Sequence, residues 1–73
     1  MTELNAEYVE SVIKLGIIER KKAVLVSVGA AAGLGSAEDV YYWLQLYEAM
    51  DSALRDGKKL RTLAESVVRA SKS

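Results

Sequence analysis

A chain of 73 residues with neither cysteine nor histidine has few ways of holding itself together. Domains this small usually lean on disulfides, a structural metal or oligomerisation, because they bury only about 60% of the surface their unfolded chain exposes. Without Cys no disulfide forms, and without Cys or His the usual nitrogen and sulfur ligands of zinc are missing. Association with another molecule is the staple that remains, unless the helices pack unusually well. The same absences remove a thiol nucleophile, an imidazole acid or base, a Ser-His-Asp triad and a histidine-carboxylate iron site. We therefore expect one non-enzymatic domain over residues 1–73, frayed at 1–5 and 71–73, with no cofactor or metal.

Absence of Cys also suits a reducing cytoplasm. The opening residues Met1, Thr2, Glu3, Leu4, Asn5, Ala6 and Glu7 are acidic where a signal peptide is basic, so an unprocessed cytoplasmic chain is expected. Residues 23–37 carry no charge, yet they fall short of the roughly 18 to 20 residues a spanning helix needs. They also include Ser27, Gly29, Gly33, Gly35 and Ser36, and no membrane partner is expected.

With no proline to punctuate the chain, glycine and capping residues must set its boundaries. Asn5 can cap a helix over 6–15, with Tyr8, Val12 and Leu15 at helical spacing, Val9 and Ile13 beside them, and Gly16 suited to its end. Residues 17–35 are ambiguous: 23–28 are rich in β-branched side chains, whereas Gly29, Ala30, Ala31, Ala32 and Gly33 favour close helix packing. Helix is preferred, since a lone strand needs a partner and no second strand candidate exists; a strand paired across a dimer is the alternative. Ser36, Glu38 and Asp39 open a third helix running to Asp56 and ended by Gly57. Within it Val40, Trp43, Tyr47, Met50 and Leu54 form a heptad seam. A last amphipathic helix over 58–70 carries Leu60, Leu63, Ala64 and Val67 on one stripe. The expected fold is all-α: a small bundle of three to four helices with a long central helix, as a dimer.

Two motifs invite a chemical reading. The stretch Val24, Leu25, Val26, Ser27, Val28, Gly29, Ala30, Ala31, Ala32, Gly33, Leu34, Gly35, Ser36 resembles the G-x-x-x-G-x-G phosphate loop of short-chain dehydrogenases. That resemblance implies a buried strand leading into glycines that approach a pyrophosphate at the next helix N-terminus. The same fold requires further parallel strands, an acidic residue closing the second strand and a tyrosine-lysine pair, and this chain supplies none of the later strands. Glycine and alanine packed against a neighbouring helix is the preferred reading. The carboxylates show no spacing that would converge two of them in a cleft. Glu38 and Asp39 are explained by capping, and Asp51 and Asp56 read as exposed.

The aromatics are more informative. Tyr41, Tyr42, Trp43 and Tyr47 gather all but one of them within seven positions, and three consecutive rings span about 200° of helix surface. At least one must therefore face away from the core, and Tyr is a frequent interface anchor. Beside the heptad seam, Tyr42, Leu46, Ala49 and Ala53 make a second apolar face. We expect Tyr41, Tyr42, Leu46, Ala49 and Ala53 to bind a partner, foremost a second copy in a homodimer and otherwise an unidentified protein target.

Formal charge is zero overall but not uniform. Glu3, Glu7, Glu10 and Glu19 oppose Lys14 alone at the front, whereas Lys58, Lys59, Arg61, Arg69 and Lys72 oppose Glu65 at the end. Complementary ends of this kind can steer self-association. Lys58, Lys59 and Arg61 are the candidate contact for a nucleic-acid partner, an alternative weakened by the lack of net positive charge. The leading expectation is a non-catalytic protein interaction module, by analogy of size with small helical adaptors, regulators and phage-encoded inhibitors. A structural subunit of a viral or filamentous assembly is the further alternative.

Overall fold

The computed structural model describes residues 4–72, which form three α-helices and no strand. Helix α1 spans Ala6–Gly33, α2 Ala37–Arg55 and α3 Gly57–Ser71. The all-α expectation holds, and the strand alternative for 23–28 does not: these residues lie in mid-α1. The long helix is the first, at 28 residues, not the central one, at 19.

Asn5 opens α1 as expected, its Oδ1 accepting from the Tyr8 amide at 2.8 Å. The expected stop at Gly16 is absent. Its place in mid-helix costs about 1 kcal/mol relative to alanine. The flanking Ile13 and Ile17 are half-buried on the inner face of α1, where tertiary packing carries the helix through. Termination comes at Gly35, whose φ of 73° is the left-handed conformation glycine adopts without strain. The Ser36 amide donates to Ala31 O and the Gly35 amide to Ala32 O, the paired bonds of a Schellman motif.

Ser36 then caps α2, its Oγ accepting from the Asp39 amide at 3.3 Å. Gly57 does not end α2 as a C-terminal glycine but begins α3. Asp56 alone separates the two helices, closing α2 through its amide to Ala53 O and capping α3 through Oδ1, which accepts from Lys59 N at 3.1 Å. The fraying expected at 1–5 and 71–73 lies partly on residues 1–3 and 73, outside the described residues. Within them, Asn5 is the cap of α1 and Ser71 belongs to α3.

Helix α1 is the spine, and α2 returns antiparallel along its C-terminal half, placing Asp51 beside Lys21. Helix α3 continues in the same sense, placing Arg61 beside Glu10, and touches α2 little. The result is two helices thick, 48 × 24 × 20 Å, with a radius of gyration of 15.6 Å against about 11 Å for a compact domain of this length. Its buried side chains are only Val9, Val24, Ala31, Leu60 and Ala64 among the described residues. Around them lie the half-buried Val40, Trp43, Tyr47, Met50 and Leu54, the expected heptad seam of α2. In α1 the core takes Val9 and leaves Tyr8, Val12 and Leu15 outside. In α3 it takes Leu60 and Ala64 and leaves Leu63 and Val67 exposed.

Candidate interaction surface

Two polar joints fix how the arms lie on the spine. At the first, Lys21 Nζ donates to Asp51 Oδ1 at 2.9 Å, while Arg55 approaches Asp51 Oδ2 at 2.6 Å. The Lys21 ammonium also stands 5.2 Å from the Tyr47 ring centroid, a cation over an aromatic face. The hydrogen bond to Asp51 raises the Lys21 pKa above its ordinary value, and the same bond, helped by Arg55, lowers that of Asp51. Asp51 is thus a half-buried structural partner and not the exposed acid its position beside a glycine turn suggests.

At the second joint, Glu10 receives Arg61 on one oxygen at 3.0 Å and Lys14 on the other at 3.9 Å. The acidic front and the basic end meet here within one chain, because α3 packs against the start of α1. This changes the standing of the three basic candidates. Arg61 is engaged by Glu10; Lys58 and Lys59 project about 100° apart on α3; and Glu65 lies between the Lys58 and Arg61 directions on the helix wheel. The structure brings them to no shared basic stripe.

The five partner-binding candidates divide as well. Tyr42, Leu46, Ala49 and Ala53 fall within about 60° of one another on α2, so the structure keeps them on one face. Tyr42 and Ala49 are exposed, Leu46 and Ala53 half-buried beside the contact with α1. Tyr42 packs edge-on against Trp43, centroids 5.1 Å apart, which anchors the ring at its base and leaves it 56% exposed. Tyr41 stands apart on the polar strip of α2, with the exposed Gln45, Glu48, Ser52 and Arg55, its hydroxyl accepting from Gln45 Nε2 at 2.9 Å.

A larger apolar surface lies on α1. On the side of α1 facing away from α2 and α3, Tyr8, Val12, Leu15 and Val26 are exposed, Val26 by 73%, and Ile18 and Leu25 are exposed at the edges of that face. Residues 23–33 carry no charge, and their one polar side chain, Ser27, returns its hydroxyl to Ala23 O. A helix apolar all round is ordinarily buried all round. Gly29 and Gly33 sit on this outer face too, where an added Cβ would meet nothing within 4 Å. Their expected role as a close-packing site is therefore unfilled within the chain. The signal was present in the spacing of Tyr8, Val12 and Leu15, but ending the helix at Gly16 separated them from Val26.

Among the described residues there is no pocket, and no cluster of three or more His, Cys, Asp or Glu side chains placed to hold a metal. No described helix is long and apolar enough to cross a membrane. No protein-family model, curated protein or solved structure matches the chain.

Proposed function

We propose that this chain is a small non-catalytic protein interaction module, a regulator, adaptor or inhibitor that works in the cytoplasm as a helical homo-oligomer, in the first place a dimer. The observation that carries the reading is surface. The molecule exposes 5518 Å², against about 4,450 Å² for a compact monomer of 8.0 kDa. The excess of roughly 1,000 Å² is comparable with the ~800 Å² one partner contributes to a standard interface. Tyr8, Val12, Leu15 and Val26 of α1 are exposed at helical spacing, and apolar side chains in such rows are the form in which helices recognise one another.

Two surfaces serve the two aspects of this role: the outer face of α1 and the face of α2 carrying Tyr42, Leu46, Ala49 and Ala53. Light scattering on the purified chain measures the first aspect and is expected to give a dimer. Affinity capture compared between the native chain and Tyr42→Glu or Leu46→Glu measures the second, with a bound protein lost selectively in the variants. A monomer at high concentration that captures nothing sensitive to either surface overturns the reading.

A further inference from the structure

We propose that the outer face of α1 binds a second copy of this chain in antiparallel register, α1 against α1, with Glu19 of each copy opposite Lys22 of the other. The proposal rests on the oligomeric reading above and names the surface and its geometry. Tyr8, Val12, Leu15, Glu19, Lys22, Val26, Gly29 and Gly33 recur at alternating intervals of four and three, the seam of a two-stranded coiled coil. All eight are exposed. The row runs from one end of α1 to the other, on the side away from α2 and α3, so a second helix can lie along it without disturbing either arm.

The composition of the seam fixes its direction. Its N-terminal part is large (Tyr8, Val12, Leu15), its middle is a charge pair (Glu19, Lys22), and its C-terminal part tapers to two glycines (Val26, Gly29, Gly33). Turned end for end about its midpoint, the row matches itself in size and charge. Tyr8 meets Gly33 of the second copy, Val12 meets Gly29, Leu15 meets Val26, and Glu19 meets Lys22. Tyr8 and Val12 each fill the space over a glycine, which gives the open glycines the neighbour they lack in the single chain, and Leu15 packs against Val26 between them and the charge pair. A parallel pairing instead stacks Tyr8 on Tyr8, Glu19 on Glu19 and Lys22 on Lys22, and leaves the glycine end unfilled. Like charges facing each other at an interface are strongly unfavourable.

The central pair is already poised. Glu19 and Lys22 reach each other at 3.5 Å within one helix, with both side chains more than 70% exposed, so each can turn to the opposite copy without leaving an ion unpaired. Ile18 and Leu25 flank the seam and widen its apolar band. The assembly places α1 in the middle of a four-layer sandwich, apolar partners on both sides, as its uncharged C-terminal third requires.

Because the chain has no native cysteine, the register can be read by crosslinking. The full-length double variant Val12→Cys/Gly29→Cys is expected to give a covalent dimer on mild oxidation or with a short bismaleimide, whereas neither single variant does so. Within one helix the two positions stand about 25 Å apart and cannot bridge. Sedimentation equilibrium should show Glu19→Lys and Lys22→Glu each weakening the dimer by about tenfold or more, and Glu19→Lys/Lys22→Glu restoring it. Circular dichroism on every variant confirms the helical fold. Efficient crosslinking of Val12→Cys alone shows parallel pairing and overturns the proposal. A dimer indifferent to both charge reversals but dissolved by Leu46→Glu overturns it while leaving the oligomeric reading intact. A monomer, whether free or bound to phosphatidylcholine vesicles, overturns both.

Discussion

Lys21 and Asp51, thirty residues apart in the chain, meet at 2.9 Å and lock α2 to the middle of α1. The shifts at this contact have defined consequences with pH. Asp51 titrates below its ordinary 3.8 when folded, so its contribution to stability is present above that value and is lost as pH falls through the lower folded value. Lys21 titrates above 10.5, so its contribution is complete below 10.5 and is lost as pH rises through the higher folded value. Thermal melts should show Asp51→Asn destabilising at pH 7 and flattening the acid limb below pH 4. Adding Lys21→Met to that variant should cost less than it does in the native chain.

Val24 is 1% exposed and is the largest fully enclosed side chain. Val24→Ala should cost about 2 kcal/mol through lost burial and the cavity left behind. In a domain this small that lowers Tm by roughly 10 °C. Ala64, with no exposed surface, marks the opposite constraint: Ala64→Leu overpacks the contact of α3 and α1 and should cost about 1–3 kcal/mol in the same melts.

Two glycines should respond with opposite signs. Gly35→Ala forces a side chain into the left-handed region at φ 73° and should destabilise by about 1 kcal/mol. Gly16→Ala adds a methyl where nothing lies within 4 Å, in the interior of a helix, and should stabilise by about 0.5–1 kcal/mol. Urea unfolding with unchanged m-values checks both.

Arg61 should act on the fold and not on a ligand. A short duplex DNA or RNA probe is expected to pass unretarded at 50 mM salt, while Arg61→Ala lowers stability by less than about 1 kcal/mol through loss of the partly exposed pair with Glu10. Retardation that weakens steeply with salt and is abolished by Lys58→Ala/Lys59→Ala would reinstate the nucleic-acid reading.

Local chemistry made α2 and α3 readable from sequence. Ser36, Glu38 and Asp39 mark the start of α2 by capping, and the 3-4 spacing of Val40, Trp43, Tyr47, Met50 and Leu54 marks its inner face. Helix α1 was harder because the usual signals conflict along it. Gly16 and the β-branched run at 23–28 argue for a break, while the contacts that hold α1 as one helix come from residues distant in the chain, such as Asp51 against Lys21 and Arg61 against Glu10. A helix with apolar side chains on both faces also hides which face is inside, so Tyr8, Val12 and Leu15 could not be told from Val9 and Ile13 by period alone. The α2 face with Tyr42 was legible because a polar strip adjoins it; Tyr41 was grouped with it only through adjacency, which on a helix means 100° of separation.

The joint at Asp56 gives the chain an unusual distribution of tolerance to insertion. Connections between helices normally absorb extra residues readily, since they run over the surface and hold nothing in place. Here one residue, with φ −94° and ψ 75°, both finishes α2 and caps α3, and it leaves no slack between them. A single residue added at this point would turn α3 by about 100° and carry Leu60 and Ala64 off the spine. The three-residue bend at Leu34, Gly35 and Ser36 is no freer, because its amides close the end of α1. A tag or probe is therefore best carried on the exposed polar strip of α2 or at a chain end, and the corners, where insertions are usually placed, are the positions to avoid.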